Sequence, residues 1–280
     1  MAGRGGITLP LQEMILRAII VSMNLSDEQL EKYCRQMILP GIGKAGQEKL
    51  LKSKVLVVGA GGLGSPVLTY LARAGVGTIG IVDYDKVDIS NLHRQIIHNT
   101  SDVNKPKVIS AKEKINKINP DVNVVTFEER LDKSNIEKIF KDFEIVVDGL
   151  DNFSDKFLVN DCCVSLNKKL IHAGVIGFEG QVLTVIPGKS VCLRCYFPDG
   201  VPRDLRQNCK DVGVLGTCVG VISIIQANEV LKLILEIGEP LTDRVLKFNA
   251  LEGTFYEFKS NGRKKDCMVC HEHDENLAIL

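Results

Sequence analysis

The segment Lys54-Val-Leu-Val-Val-Gly59-Ala-Gly-Gly-Leu-Gly64-Ser-Pro66 decides the fold of this 280-residue chain. Its first five residues form a short run rich in β-branched side chains, which is typical of a buried strand, and a helical stretch begins with Pro66. Gly59, Gly61 and Gly64 form a G-x-G-x-x-G pattern between the two. Glycines there permit a tight turn and let a ligand approach the backbone, while the helix N-terminus supplies N–H groups and a positive dipole. The segment therefore predicts a strand, a nucleotide-binding glycine turn and a helix.

Short apolar strands alternate with helices after the glycine turn. Before it, a capping-box pair, Ser26 and Gln29, starts an amphipathic helix that Pro40 ends. Because parallel strands need crossover connections, the alternation predicts an α/β fold with a Rossmann-like, mostly parallel central sheet and helices on both faces. The predicted strands lie at 78–82, 122–127, 143–147 and 169–173, and the predicted helices at 105–119 and 135–141.

The pattern changes beyond Gly174. Residues 181–186 and 244–258 alternate with short turns, which predicts antiparallel strands, and they flank one long apolar helix at 219–237. No internal repeat or linker is found between these stretches. We therefore expect one domain over residues 25–280 with an elaborated second half, preceded by an extension of unknown role at residues 1–24.

The composition limits the classes of partner. The 35 lysines and arginines balance 35 aspartates and glutamates, whereas binding to nucleic acid or to an anionic membrane relies on clustered cations. The apolar stretch at 9–21 is interrupted by Gln12, Glu13 and Arg17, and it is too short and too polar to span a bilayer. Nine cysteines without a secretory signal favour a reducing compartment. We expect a cytoplasmic protein with no nucleic-acid partner and no membrane partner.

Charged residues follow the predicted strands, at the edge where a parallel sheet binds ligands. Asp83 ends the second strand, 22 residues after Gly61, and can accept hydrogen bonds from ribose hydroxyls. Ser90-Asn-Leu-His-Arg94-Gln95 and Lys107 supply cations, and Asp151-Asn152 follows the fourth strand. Fixed cations together with an acid able to hold Mg²⁺ suit a triphosphate that is attacked at its α-phosphate. The glycine pattern alone also fits a dinucleotide, so a NAD-dependent oxidoreductase stays open at this point.

Two C-x-x-C pairs, Cys192–Cys195 and Cys267–Cys270, are separated by 71 residues. Four thiolates form the closed tetrahedral ligand set of structural Zn²⁺, so we predict a zinc ion that staples the C-terminal segment onto the body. A pair of redox motifs is the alternative, although a thioredoxin-type motif normally stands alone. His271 and His273 could substitute as ligands, but with four thiols available they fit exposed tail positions better.

Cys209 is the candidate reactive thiol. It lies in a polar stretch before the long apolar helix, beside Lys210, and both a cation and a helix N-terminus lower the pKa of a thiol. His172 lies inside a predicted strand and is expected to be a satisfied core histidine. Burial is also expected for the cysteines in apolar helical stretches, which are Cys34, Cys162, Cys163 and Cys218.

Several motifs resemble, in order and spacing, the MoeB/ThiF (HesA) family of adenylyltransferases related to ubiquitin-activating enzymes. The resemblance covers about residues 25–270 and includes both cysteine pairs. It implies an enzyme that uses ATP and Mg²⁺ to convert the C-terminal glycine of a small ubiquitin-like sulfur-carrier protein into an acyl-adenylate, for molybdopterin, thiamine or related biosynthesis. The other matching segments are Tyr33-Cys-Arg35-Gln36-Met-Ile-Leu-Pro40, Gly59-Ala-Gly-Gly-Leu-Gly-Ser65-Pro66, Ser90-Asn-Leu-His-Arg-Gln95, Lys105-Pro-Lys107 and Leu150-Asp-Asn152.

The resemblance also implies roles for individual residues. Asp83 would bind the ribose and Asp151 the Mg²⁺. Arg35 would reach the phosphates of ATP in a neighbouring subunit, which requires a homodimer. Cys209 matches a crossover-loop cysteine that links covalently to the carrier in some family members. The other nucleotide-binding positions implied are Gly59, Gly61, Gly62, Gly64, Ser90, Asn91, Leu92, His93, Arg94, Lys107 and Asn152.

The partner implied is a carrier that ends in Gly-Gly. Little sequence follows Cys270, so we expect sulfur to come from a separate donor such as a cysteine desulfurase or a sulfurtransferase. Two other functions stay open. One is a relative that activates a tRNA-linked carboxylate, which is not expected to carry the two cysteine pairs. The other is a nucleotide-binding scaffold without turnover, which the joint presence of Arg35, Arg94, Lys107 and Asp151 disfavours.

Overall fold

One eight-stranded sheet organises residues 25–198 and 212–270, the part of the chain that this computed structural model describes. The spatial order of the strands is β3-β2-β1-β4-β5-β6-β7-β8. Residues 1–24, Cys209, His271 and His273 lie outside the described residues. The strands are β1 Lys54–Val58, β2 Thr78–Val82, β3 Asn123–Phe127, β4 Ile145–Asp148, β5 Lys169–Ile176, β6 Glu179–Val185, β7 Arg244–Asn249 and β8 Thr254–Lys259.

The sheet is parallel from β3 to β5 and antiparallel from β5 to β8. In the parallel part, Val58 of β1 lies opposite both Val82 of β2 and Asp148 of β4. β5 pairs with β6, β6 with β7 and β7 with β8 in antiparallel register. The mostly parallel sheet with an antiparallel second half, as predicted, is confirmed.

Helices cover both faces of this sheet, as predicted. The helices of the described residues are α1 Asp27–Met37, α2 Gly43–Lys52, α3 Gly64–Ala74, α4 Lys107–Ile118, α5 Ile136–Phe140, α6 Phe153–Ser165, α7 Leu193–Tyr196 and α8 Gly216–Leu235. α2, α3, α4 and α8 contribute to one apolar cluster, and α5, α6 and α7 contribute to the other.

The position of strand β1 in the sheet explains why residues 55–58 are all apolar. Val55 and Val57 point into the cluster that contains α3, and Leu56 and Val58 point into the cluster that contains α6. Successive side chains of a strand alternate between faces, so a strand covered on both sides needs an apolar residue at each position. All four side chains are buried.

Most element boundaries agree with the prediction, and the differences have local causes. The Ser26–Gln29 capping box forms as predicted at the start of α1. Helix α4 begins at Lys107 rather than at residue 105, and Pro106 is its N-cap. The long helix α8 ends earlier than predicted because Glu236 takes a left-handed conformation with φ of 58°.

By length and composition, α8 is the one helix of the described residues that could cross a membrane, and about half of its residues are buried. It contacts α3, β5 and β6, and it contributes Val219, Ile222 and Val230 to the core. A long apolar helix packed on a sheet in this way has the features of a core helix.

Candidate nucleotide-binding site and cysteine cluster

A cavity of about 660 Å³ opens at the carboxyl ends of the parallel strands. Its wall contains the glycine turn after β1, the residues that follow β2 and β4, and the β5–β6 hairpin. Open α/β sheets bind ligands at this edge. The predicted site residues that line the cavity are Gly59, Gly61, Gly62, Asp83, Arg94, Lys107, Asp151 and Asn152.

The glycine turn has no room for a side chain at two of its positions. Gly59 has φ of 95°, and a Cβ atom there would lie 2.9 Å from the carbonyl oxygen of Gly149. A Cβ atom on Gly64 would lie 1.8 Å from the carbonyl oxygen of Gly59, so this glycine lets α3 pack directly on the turn. At Gly61 the nearest atom to such a Cβ would be Nε2 of Gln95, at 3.7 Å. The backbone at Gly61 is therefore open to a ligand in the cavity.

Asp83 shapes the turn as well as lining the cavity. Its carboxylate accepts the backbone N–H groups of Ala60 and Asp85, each at 2.8 Å. Burial raises the pKa of Asp83, and the nearby Lys107 cation and these two N–H groups oppose the increase. Each carboxylate oxygen has a second lone pair, so Asp83 can still accept a hydrogen bond from a ribose hydroxyl.

His98 also bonds to this turn, and no sequence pattern predicted its role. The residue is 4% exposed, and its Nε2 donates to the carbonyl oxygen of Ala60 at 2.9 Å. Its Nδ1 lies 2.8 Å from Oγ of Ser110. Burial lowers the pKa of His98, so a neutral imidazole can donate to Ala60 while it accepts from Ser110. A histidine that belongs to no motif gives no sign in the sequence that it has such a role.

Lys107 and Arg94 bring positive charge to the cavity wall. The side chain of Lys107 is 7% exposed, and its ammonium donates to the carboxylate of Asp85 at 2.9 Å. The guanidinium of Arg94 donates to the carbonyl oxygen of Ser90 at 3.1 Å and to Nε2 of His93 at 2.6 Å. Both cations are held in place by groups of the chain itself, so they are fixed before a ligand arrives.

Some predicted site residues do not line the cavity. Arg35 is exposed in the last turn of α1. Gly64 packs against the turn, and Asn91 closes a capping box with Asp88. Ser90, Leu92 and His93 also lie outside the cavity wall, so the nucleotide-binding roles of this segment and of Arg35 stay predictions.

The connection between β4 and α6 carries the acidic residue that was predicted to hold Mg²⁺. Asp151 is exposed at the cavity wall, and the side chain of Asn152 caps α6 by accepting the N–H of Asp155 at 2.9 Å. An exposed carboxylate beside fixed cations fits Mg²⁺, which binds one or two carboxylates together with phosphate oxygens. Behind this connection lie Asp148 and Lys156, both buried, which were not among the predicted site residues.

The four cysteines of the two C-x-x-C pairs converge on the face of the sheet that α6 covers. Their sulfur atoms all lie within 4.8 Å of one another, with 3.8 Å between Cys192 and Cys267 and 3.9 Å between Cys195 and Cys270. Tetrahedral zinc with Zn–S bonds of about 2.3 Å holds its sulfurs about 3.8 Å apart, whereas the S–S bond of a disulfide is about 2.05 Å. The cluster therefore fits zinc, and its two pairs form one site rather than two separate redox motifs.

The other cysteines and His172 are placed largely as predicted. Cys162, Cys163 and Cys218 are buried, but Cys34 is only half-buried. The burial of Cys34 was wrongly predicted because α1 covers the body mainly through Tyr33 and Met37. His172 is 1% exposed and hydrogen-bonded within the core.

The described fold and cavity define an α/β protein with a site suited to a nucleotide. The chain belongs to the ThiF family, which it matches over residues 33–269. A mostly parallel sheet with a glycine turn, two fixed cations and an acid at one edge agrees with that membership.

Curated relatives with related names are similar over most of the chain. The adenylyltransferase and sulfurtransferase MOCS3 of Arabidopsis thaliana is 44% identical, over 89% of this chain and 54% of the relative. The sulfur carrier protein adenylyltransferase of Thermus thermophilus is 42% identical, over 92% of this chain and 97% of the relative. The SAMP-activating enzyme E1 of Haloferax volcanii is 41% identical, over 90% of this chain and 93% of the relative. The chain thus spans about half the length of the MOCS3 proteins and nearly all of the other two.

Solved structures of Escherichia coli MccB share the fold. The structure with succinimide is 25% identical with a TM-score of 0.76, and the match covers 90% of this chain and 76% of that one. The structure with ATP is 21% identical with a TM-score of 0.72, and the match covers 96% of this chain and 94% of that one.

Proposed function

We propose that this chain is an ATP-dependent adenylyltransferase that activates the C-terminal glycine carboxylate of a small ubiquitin-like sulfur-carrier protein. The observation that carries the proposal is the convergence of Arg94, Lys107 and Asp151 on one cavity beside the glycine turn. The name of the Thermus thermophilus relative, which this chain covers almost entirely, supports the same activity. The product would be an acyl-adenylate used for sulfur transfer in molybdopterin, thiamine or related biosynthesis.

In the proposed reaction, a carboxylate oxygen of the carrier attacks the α-phosphorus of ATP, and the bond to the bridging oxygen breaks so that pyrophosphate leaves. The attacking carboxylate carries no proton, so the reaction needs no general base. Negative charge develops on the α-phosphate and on the pyrophosphate, where Lys107 and Arg94 would neutralise it. Asp83 would bind the ribose, and the backbone near Gly61 would approach the phosphates.

Asp151 would hold Mg²⁺ together with phosphate oxygens. The ion would supply charge neutralisation on the leaving pyrophosphate. The position of Asp151 depends on its neighbour Asn152, because the Asn152 cap fixes where α6 begins.

The proposal includes the zinc site and the partners. Cys192, Cys195, Cys267 and Cys270 would hold a structural zinc ion, since their four sulfurs have the spacing of a tetrahedral ligand set. Arg35 would act on the ATP of a second subunit in a homodimer. Sulfur would come from a separate cysteine desulfurase or sulfurtransferase in the cytoplasm, and Cys209 would be the residue to test for a covalent link to the carrier.

The experiment is carrier-dependent exchange of labelled pyrophosphate into ATP, measured against each Gly-Gly-ending small protein of the source organism. We expect exchange with at least one carrier, and we expect Asp151→Ala to abolish it because the Mg²⁺ ligand is lost. Asp142→Ala, which changes an exposed aspartate outside the cavity wall, is the control.

Two results would contradict the proposal. Exchange with none of the carriers, together with a melting temperature that rises with NAD but not with Mg²⁺ and ATP, would favour an oxidoreductase. Full exchange in Asp151→Ala would remove the Mg²⁺ role of that residue while leaving the activity in place.

A further inference from the structure

A buried ionic network lies directly behind the connection between β4 and α6. The carboxylate of Asp148, the last residue of β4, is 0% exposed, and the side chain of Lys156 in α6 is 5% exposed. The ammonium of Lys156 donates to Oδ1 of Asp148 at 3.2 Å and to Oδ2 at 3.1 Å. The imidazole Nδ1 of His172, in β5, donates to Oδ2 at 2.6 Å. Side chains of β4, α6 and β5, three elements that border the cavity, therefore meet at one carboxylate.

The hydrogen-bonding capacity of Asp148 is fully used. An ionised carboxylate offers about four lone-pair positions. Besides the two bonds from Lys156 and the one from His172, Oδ1 accepts the backbone N–H of Leu150 at 3.0 Å. Leu150 directly precedes Asp151, so the same carboxylate that binds the lysine also fixes the backbone beside the predicted Mg²⁺ ligand.

Lys156 is held by partners within the core, although the residue lines the cavity. Its ammonium contacts both oxygens of Asp148, at 3.2 and 3.1 Å, and it donates to the carbonyl oxygen of Ala173 in β5 at 2.6 Å. These partners tie the ammonium to β4 and β5, which is the arrangement that a structural role for Lys156 requires.

The connection is thus held at both ends. At its start, Asp148 bonds to the N–H of Leu150. At its end, Asn152 caps the first turn of α6, and Lys156, one turn further, ties that helix to both β4 and β5. Asp151 is exposed and makes none of these bonds, so its position is set entirely by its neighbours.

The charges of the network agree with this arrangement. Burial alone would raise the pKa of Asp148, but Lys156 and His172 together lower it, so the carboxylate is ionised. Burial lowers the pKa of His172 against the opposing effect of Asp148, so the imidazole is neutral. Cys163 also lies near Asp148, and burial raises the pKa of this thiol well above its usual value, so it carries no charge. The network therefore contains one anion and one cation.

We propose that Lys156 is a positioning residue that, through Asp148, holds Asp151 where it can bind the Mg²⁺ of the nucleotide complex. This inference rests on the proposed function, since it assumes that Asp151 is the Mg²⁺ ligand. Lys156 acts through the backbone at Leu150 and through the first turn of α6, without touching the nucleotide.

The test measures binding of ATP by calorimetry over a series of Mg²⁺ concentrations, in the full chain, so that no carrier protein is needed. In Lys156→Met, the Mg²⁺ concentration needed for half-maximal binding should rise roughly 10- to 100-fold, the usual cost of losing a residue that orients a metal ligand. Lys156→Arg keeps the charge and should recover most of the affinity. Binding of ATP without Mg²⁺ should change little in either variant, because Lys107 and Arg94 are intact.

Lys232→Met is the matched control. Lys232 pairs with Glu229, which is 1% exposed, so this change also leaves a buried carboxylate without its lysine, but neither residue lines the cavity. We expect its stability to fall while its Mg²⁺ requirement stays that of the unchanged protein. If Lys232→Met raises the Mg²⁺ requirement as much as Lys156→Met does, the effect is one of stability and the inference is overturned.

A second variant covers the case in which Lys156→Met does not fold. Asp148→Asn combined with Lys156→Met removes both charges, so no unpaired charge is buried. This double variant should fold and still need more Mg²⁺; an unchanged requirement would overturn the inference. If the unchanged protein does not bind ATP with Mg²⁺ at all, the proposed function fails instead, so the two failures can be told apart.

Discussion

At the scale of single residues, two glycines of the turn after β1 differ in the room they leave for a side chain. A Cβ atom on Gly64 would lie 1.8 Å from the carbonyl oxygen of Gly59, whereas one on Gly61 would have Nε2 of Gln95 as its nearest neighbour, at 3.7 Å. The two positions belong to one pattern in the sequence, but the first serves the packing of α3, whereas the second is proposed to serve the ligand. Variants at the two positions should therefore separate folding from binding.

We expect Gly64→Ala to destabilise the chain by about 3 kcal/mol or more, because the added methyl group would collide with backbone atoms rather than with a flexible side chain. Gly61→Ala should change the free energy of unfolding by no more than about 1 kcal/mol. It should nevertheless weaken ATP binding, because its methyl group takes space that the phosphates would use. Urea unfolding and calorimetric titration with ATP measure the two effects; a Gly61→Ala protein that binds ATP normally would show that the ligand does not approach this turn.

Residues whose role follows from their own chemistry were predictable, and residues whose role follows from their surroundings were not. Asp151 and Lys107 could be placed at the cavity because charged residues that follow parallel strands share one edge of the sheet. The contacts of His98 and of Lys156 are made with Ala60 and Asp148, which lie on other elements. Nothing in the local sequence reports such long-range partners.

At the scale of elements, the cysteine cluster joins α7 to the segment that follows β8. Helix α7 is in turn bonded to α6: the N–H of Leu193 donates to Asn160 at 2.9 Å, and the guanidinium of Arg194 donates to Asp161 at 2.7 Å. The same guanidinium lies 4.3 Å from the ring centre of Phe157. The cluster thus anchors the C-terminal segment to the helix whose first turn follows Asp151.

Loss of the proposed zinc ion should loosen this anchor. We expect about one zinc per chain, and we expect chelation or Cys267→Ser to lower the melting temperature by about 2–4 °C for each kcal/mol of stability lost. Cys34→Ser, at a half-buried cysteine outside the cluster, is the control and should keep its zinc. Atomic absorption and thermal unfolding provide the measurements, and a protein that is free of metal but equally stable would exclude a structural zinc site.

At the scale of the whole molecule, the parallel part of the sheet was predictable from the sequence, but the number of strands that join it was not. Alternating strands and helices indicated a parallel sheet, yet the joining of β6, β7 and β8 to the same sheet depends on pairing between β5 and β6 that a local pattern cannot report. Oligomeric state is also a property of this scale. Arg35 is exposed and absent from the cavity wall of its own chain, as expected if it serves a second subunit.

Mixing two inactive variants tests this arrangement. Arg35→Ala and Asp151→Ala chains, each inactive alone, should regain part of the pyrophosphate exchange when they form mixed dimers, because one site of such a dimer has both residues intact. Sedimentation velocity confirms the dimers, and Arg73→Ala, at a residue outside the cavity wall, replaces Arg35→Ala in the control mixture. Mixed dimers without recovered exchange would place Arg35 outside the reaction.

The cavity is assembled from segments that span almost the whole described chain, from the turn at Gly59 to Lys247 in β7. Strand β1 pairs with β4, about 90 residues later, and non-local pairing of this kind generally slows folding. No partly folded form that lacks β4 or β5 contains the site. A nucleotide bound in this cavity would therefore stabilise only the complete native state, and it would raise the free energy of global unfolding by an amount that grows with its concentration relative to its Kd.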